Sequence, residues 1–188
     1  GGYQKEFQIK GFLDDKADAL ESYSGYRPIL GAVETYAPQP QDRFVCALGD
    51  AKAKKHYLSM IRGKDGRFVS LIHPTANILP NTAIGVGAII LSNVFISSEV
   101  VIGDYVTIQP YSVIGHDAKI GDYAHLNSYA FVGGYAQVGE GATLHTGAKV
   151  LPHKRIGDWA IVGAGSVVLR NVKAGETVFG VPAMPILS

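Results

Sequence analysis

Residues 84–126 read IGVGAIILSNVFISSEVVIGDYVTIQPYSVIGHDAKIGDYAHL, and every sixth residue is aliphatic: Ile84, Ile90, Ile96, Ile102, Ile108, Ile114, Ile120 and Leu126. The series extends outward, back to Ile78 and on through Val132, Val138, Leu144, Val150, Ile156, Val162 and Val168, without one exception. Four residues after each stands a small residue or a valine, as at Thr82, Ala88, Val94, Ser112 and Ala124, with Lys154 the single break. Glycine often follows the aliphatic residue directly, as at Gly85, Gly103, Gly115 and Gly133.

A period of six fits neither a lone helix at 3.6 nor a strand at 2.0, so it marks a supersecondary repeat. The spacing predicts a parallel β-helix built from hexapeptides, each supplying one short strand and one corner. Three hexapeptides make an 18-residue coil, and coils stack at the strand spacing of ~4.8 Å. Residues 78–173 then give about five coils, on the order of 25 Å long. An ordinary antiparallel sheet would alternate by twos with irregular strand spacing. The break at Lys154 predicts that its hexapeptide, which carries His153, bulges out as a loop.

These hexapeptides resemble those of the left-handed β-helix acyltransferases, over half the chain. The left hand is what the resemblance implies. The period does not contain it, and the usual crossover rule favours the right hand.

With 47% hydrophobic and 18% charged residues among 188, the chain reads as globular with a real core. A net charge of +1 gives no reason to expect nucleic acid or an anionic membrane as partner. Its one cysteine, Cys46, cannot form an internal disulfide, which fits a reducing, cytoplasmic setting. No apolar stretch reaches the ~20 residues of a membrane helix, and no basic-then-apolar leader opens the sequence. Gly1-Gly2 is not a natural start and reads as the interior of a domain.

Residues 3–77 lack the sixfold period and read as alternating strand and helix. Phe7 to Leu13 is a strand ending in Asp14-Asp15, and Ile29 to Tyr36 a short irregular or helical piece. Phe44 to Leu48 is a continuous apolar run of the kind buried in a parallel sheet, with Cys46 inside it. Gly49-Asp50 turns into a helix, Ala51 to Ile61, with a basic outer face at Lys52, Lys54, Lys55 and Arg62. Phe68 to Ile72 is a further strand. The order suggests a small parallel α/β domain, in which ligands bind beyond the carboxyl ends of the strands. Asp14, Asp15 and Gly49 lie at such ends; the plain alternative is that Asp15 and Asp50 only cap the segments that follow.

This layout resembles the nucleotide-sugar acetyltransferases of the sialic-acid O-acetyltransferase and bacillosamine N-acetyltransferase type. The resemblance implies a Rossmann-like nucleotide-sugar-binding domain at 1–73 and a left-handed β-helix acetyltransferase domain at 74–188. In that family a Gly-rich phosphate loop follows a first strand, and the second strand ends in an acidic pair like Phe12-Leu13-Asp14-Asp15. This chain contains no GxGxxG, so nucleotide binding is where it departs from the family. That first strand and loop either lie outside these residues or do not exist.

The chemistry centres on His116. It sits two residues after Ile114, at an outward corner, with Asp117 beside it and Gly134 one coil above. A general base beside an open backbone N–H is what acyl transfer from a thioester uses, the base taking the acceptor's proton and the N–H meeting the oxyanion. A neighbouring carboxylate fixes the tautomer of the imidazole. The plain alternative is an exposed polar corner residue. In the family resembled, the motif matching Ile114-Gly115-His116-Asp117 carries the base and its acidic helper, often glutamate, and the residue matching Gly134 lies near the acetyl group.

The resemblance further implies acetyl-coenzyme A as co-substrate, with His125 lining its site and Thr146 and Ala164 contacting it through backbone. Lys119, Gln137, Arg155 and Lys173 are spaced by 18 and so form one column. Arg155 and Lys173 are the candidates for the phosphates, or else part of a solvated face. Phe179-Gly180-Val181-Pro182-Ala183-Met184-Pro185 resembles the family's terminal signature. His145 stacks over Asn127 as a polar ladder, His73 is structural, and His56 is solvated. No histidine pair has close ligand spacing, so no metal is expected. Outward aromatics at Phe95, Phe131, Tyr105, Tyr123 and Trp159 suggest a self-association face. The family forms homotrimers with active sites between subunits.

The expected activity is therefore transfer of acetyl from acetyl-coenzyme A to an amino group, the 4-amino, of a nucleotide-linked sugar. O-acetylation of sialic acid or another sugar hydroxyl uses the same base and stays open. So does a non-catalytic β-helix scaffold.

Overall fold

The computed structural model describes residues 7–186. The sixfold series forms a parallel β-solenoid whose rungs are mostly two-residue strands. Each rung turns its aliphatic residue inward, and the column Ile90, Ile108, Leu126, Leu144 and Val162 is wholly buried. Taking such a side chain out of water contributes about 1.5–3 kcal/mol, and the parallel files through Ile114 and Ile120 are buried as deeply, so three internal files make the core.

Three faces result. The first runs from Leu71–Ile72 through Thr107–Ile108 and His125–Leu126 to Thr177–Phe179, with Met184–Pro185 folded back antiparallel on its end. The second runs from Asn77–Ile78 to Val167–Val168, and the third from Ala83–Ile84 to Arg155–Ile156. Pairing is offset by one 18-residue coil, as in Val113 with Phe95 and Phe131, or Lys119 with Val101 and Gln137. The ladder starts one hexapeptide before Ile78, because Leu71–Ile72 already pairs with Ile89–Ile90. It therefore begins just ahead of residue 74.

The corners bring a feature that the period does not announce. Three residues after most rung positions the backbone is left-handed, at Asn93, Tyr105, Tyr111, Asp117, Tyr123, Tyr129, Tyr135, His153 and Trp159. A non-glycine residue there costs on the order of 1 kcal/mol. The coils offset this with ladder bonds such as Tyr135 N–H to His116 O at 2.9 Å, and with ring stacks such as Tyr111 on Tyr129 at 5.2 Å. Gly115 serves a separate need: a Cβ there would lie 2.5 Å from Gly134 N, where two coils meet.

Two expectations about the repeat are corrected. The hexapeptide with Lys154 does not bulge: Gln137 and Arg155 keep their register, and Gln137 N–H bonds Lys154 O at 2.9 Å. A half-buried Lys154 fits because its long stem can run outward while its backbone stays in the ladder. The last coil is two residues short, Val162 pairing with Val178 and Ile156 bridging Val172. Lys173 therefore leaves the column, and Asn171 meets Arg155 instead, its Oδ1 accepting from Arg155 N–H at 3.0 Å.

Among the described residues, the N-terminal part holds two short parallel pairs, Phe12–Leu13 with Ile29–Gly31 and Phe44 with Phe68, and one helix, Ala51–Arg62 (α1). Strand, not helix, begins at Ile29. Asp50 caps α1, its carboxylate accepting from Ala53 N–H at 2.7 Å. Phe44 to Leu48 is not buried: Val45 and Leu48 are exposed and Cys46 is half-buried. The reason is a cleft of about 1610 Å³ that opens between the two parallel pairs and is lined by Phe12, Leu13, Phe44, Cys46, Leu58 and Phe68.

α1 lies on the solenoid with Ala51, Lys54, Leu58 and Ile61 buried. Lys54 is thus not on an outer basic face. Its ammonium donates to Tyr105 O at 3.2 Å and Thr107 Oγ1 at 2.9 Å. Lys55 reaches Glu140 at 2.6 Å and sits 5.3 Å from the rings of both Tyr123 and Trp159. Phe68 packs edge-on against Tyr105. Tyr105 is thus buried under the chain's own N-terminal part, while Tyr123 and Trp159, under Lys55, stay half-buried. Among the described residues no helix is long and apolar enough to cross a membrane.

Candidate active site

His116 and Asp117 leave the second face at Val113–Ile114 and turn toward the third at Lys119–Ile120. Asp117 takes the left-handed corner (φ 58°), which swings its carboxylate back beside the preceding residue. The imidazole Nδ1 donates to Asp117 Oδ2 at 2.8 Å. That bond places the neutral imidazole's proton on Nδ1 and leaves the Nε2 lone pair free. Gly134 stands over the ring, where a Cβ would lie 2.9 Å from Nε2. The Gly134 carbonyl accepts from His153 N–H at 3.0 Å, while its own N–H donates to no other described residue. The fold thus brings His116, Asp117 and Gly134 together, with a free base nitrogen next to a free N–H.

From this corner up the next two coils runs a groove of about 430 Å³ lined by Asp117, Lys119, Tyr135, Gln137, His153 and Arg155. Four of these were not singled out as site residues by the sequence: Lys119, Tyr135, Gln137 and His153. His153 is there because its hexapeptide stays in register. Its ring stacks on Tyr135 at 5.0 Å, and Tyr135 meets His116 edge-on at 5.1 Å.

His125 lies half a coil away, on the first face, and is 4% exposed rather than pointing into solvent. Its Nε2 is 3.3 Å from the Gln109 amide nitrogen, which can only donate, so Nδ1 carries the proton. That Nδ1 has no partner. Burial first, then the nearby Lys54 ammonium, lowers the pKa of His125 to about 4. Gly49 adjoins it, a Cβ there lying 3.7 Å from His125 Cε1. A residue expected at the cofactor and one expected at the substrate are therefore neighbours.

Asp14 and Asp15 stand at the rim of the N-terminal cleft. Asp14 closes a turn by accepting from Lys16 N–H, and Asp15 accepts from the Tyr57 hydroxyl at 2.6 Å. Thr146 and Ala164 share the corner between first and second faces, tied by Gly165 N–H to Thr146 O at 2.9 Å. In a three-sided prism that corner is opposite the third face, where Arg155 stands. On one chain the expected coenzyme A residues do not gather at one place. Among the described residues no group of His, Cys, Asp and Glu could hold a metal ion.

Residues 69–162 match the family model of the GMPPB C-terminal domain. Curated proteins give no match. Among solved structures, PerB from Caulobacter crescentus, in complex with CoA and GDP-perosamine, is similar at 30% identity and a TM-score of 0.86, over 94% of this chain and 84% of that one. The acetyltransferase domain of PglB from Neisseria gonorrhoeae FA1090, in complex with acetyl coenzyme A, is 25% identical over 94% and 85%, with a TM-score of 0.86. WeeI from Acinetobacter baumannii AYE is 26% identical over 98% and 91%, with a TM-score of 0.85.

Proposed function

Because this chain belongs to the left-handed β-helix acetyltransferases of the nucleotide-sugar N-acetyltransferase type, we propose that it moves acetyl from acetyl-coenzyme A to the 4-amino group of a nucleotide-linked sugar, with His116 as general base. One observation carries the residue assignment: Asp117 holds the imidazole at 2.8 Å through Nδ1, and Gly134 leaves Nε2 uncovered.

The steps follow from that geometry. As the acceptor nitrogen bonds to the thioester carbon, its proton passes to His116 Nε2. The carbonyl electrons move to oxygen, where the Gly134 N–H meets them. Collapse of the tetrahedral intermediate breaks the carbon–sulfur bond, and the imidazolium returns its proton to the departing thiolate. Asp117 steadies the imidazolium in between.

We read residues 1–73 as Rossmann-like, the nucleotide-sugar side of the site. Two parallel pairs flanking an apolar cleft, with Asp14 and Asp15 at a strand's carboxyl end and Gly49 beyond Phe44, support this. Residues 74–188 form the acetyl-transferring part, and the active form is a homotrimer. Two copies packed side by side most directly unite Thr146 and Ala164 of one with Arg155 of the next, along with Lys119 in place of Lys173. The exposed, stacked Tyr111 and Tyr129, at the same corner as Thr146 and Ala164, are available for that contact. A cytoplasmic place of action agrees with the free thiol of Cys46.

The test is acetyl transfer to GDP-, UDP- and dTDP-linked 4-amino sugars and to free sialic acid, read by mass spectrometry beside light scattering for mass. Acetylation of a nucleotide-linked amino sugar that is lost in His116→Asn supports the assignment. Acetylation of sialic acid alone, or full turnover by His116→Asn, overturns it.

A further inference from the structure

The aromatic corners of this solenoid stack ring on ring where the chain allows it, as Tyr105 does on Tyr123 and Tyr111 on Tyr129. The corner column through the catalytic turn differs. It reads Asp117, Tyr135, His153, so Tyr135 has an aromatic ring above it and a carboxylate below. The upper ring, His153, lies parallel to it within 4° at 5.0 Å. On the lower side the His116 imidazole fills the missing place, meeting Tyr135 at 86° and 5.1 Å, and Tyr135 N–H bonds His116 O at 2.9 Å.

We propose that Tyr135, backed by His153, is a positioning residue for the catalytic imidazole. Asp117 meets only one edge of the ring, at Nδ1, and a single hydrogen bond between two exposed side chains lets their torsions shift together. The His116 side chain is 56% exposed, so few other contacts oppose that shift. An edge-on aromatic neighbour does, and the parallel His153 keeps that neighbour from leaning away. The imidazole is thus held on two sides, by charge at Asp117 and by ring packing at Tyr135, with Nε2 directed under Gly134.

The inference rests on His116 being the base, and the experiment separates the two. Steady-state kinetics are measured on the full chain for Tyr135→Asn, Tyr135→Phe, His153→Asn and His116→Asn, with melting temperature recorded for each. Asn suits the left-handed backbone at 135 and 153, so ring loss need not disturb the corner. The expected result is a fall of about tenfold in kcat for Tyr135→Asn, with both KM values within about twofold. Tyr135→Phe restores the rate, because it keeps the ring, and His153→Asn falls between. In the His116→Asn background, Tyr135→Asn lowers the rate no further. An inactive His116→Asn with wild-type kcat in Tyr135→Asn would overturn the positioning role alone. Loss of activity in Tyr135→Phe as deep as in Tyr135→Asn would overturn it too, by pointing to the hydroxyl. An active His116→Asn would instead sink the base assignment.

Discussion

Gly134 leaves no room for a side chain above His116: a Cβ at that position would lie 2.9 Å from Nε2 and 3.1 Å from Cε1. The imidazole is exposed and can swing away, so the collision is relieved by moving the base rather than by unfolding the coil. We expect Gly134→Ala to fold with a melting temperature near that of the natural sequence. A base displaced by about 1 Å costs up to roughly 10²-fold. The loss should fall on kcat, with coenzyme A affinity by calorimetry unchanged. A variant with intact kcat would mean that Nε2 does not work from beneath Gly134.

Asp117 makes a different contribution from His116, and their variants should separate. Removing the base, in His116→Asn, is expected to lower kcat by about 10²–10⁴-fold. Asp117→Asn keeps the shape and offers an amide in place of the carboxylate, so the imidazolium formed during transfer loses its counter-charge at 2.8 Å. A smaller fall in kcat is expected, with KM for acetyl-coenzyme A little changed. Equal activity of Asp117→Asn and the natural sequence would reduce Asp117 to a corner residue.

The residues that make this corner were legible because a fixed period converts sequence distance into spatial distance. Knowing that one coil is 18 residues puts Gly134 over His116 without any further information. The same arithmetic failed at Lys173, since the last coil is shorter by two, and a period cannot report its own ending. It missed Tyr135 because a tyrosine at a repeat corner looks like every other corner tyrosine. Lys54 was misplaced for a chemical reason. A lysine beside Lys52 and Lys55 reads as solvated, yet a carbonyl and a hydroxyl on the solenoid satisfy its ammonium in the interior. His125 could be assigned an outward rung position, but what covers that face depends on where the N-terminal part docks, and no repeat encodes that.

His125 gives an acid-side test of that docking. Its pKa falls from the ordinary 6.5 to about 4, chiefly because burial penalises the charged ring. The unfolded chain therefore binds a proton between pH 6.5 and 4 that the folded chain refuses. The contribution is fully present above pH 6.5 and is lost as pH falls toward 4, worth on the order of 3 kcal/mol in all. Urea denaturation at pH 7 and pH 5 should show a larger loss of stability for the natural sequence than for His125→Gln. Parallel losses would mean that His125 is open to water in solution.

Lys54 is a cation of the same sign as protonated His125, but it acts at the alkaline end. Burial lowers its pKa from 10.5 to about 8. Below pH 8 both states hold the proton, and the folded state bears the cost of a buried ammonium. Between pH 8 and 10.5 the unfolded state retains its proton while the folded state gives it up, so stability rises with pH across this window. Lys54→Met removes the titration and leaves Thr107 Oγ1 and the Tyr105 carbonyl without their donor, so its absolute stability is set by two opposed effects. The slope is cleaner than the level. Measured by thermal melting from pH 7.5 to 10, the natural sequence should gain stability relative to Lys54→Met as pH rises. A constant difference across that range would place the Lys54 ammonium in water and detach α1 from the first face.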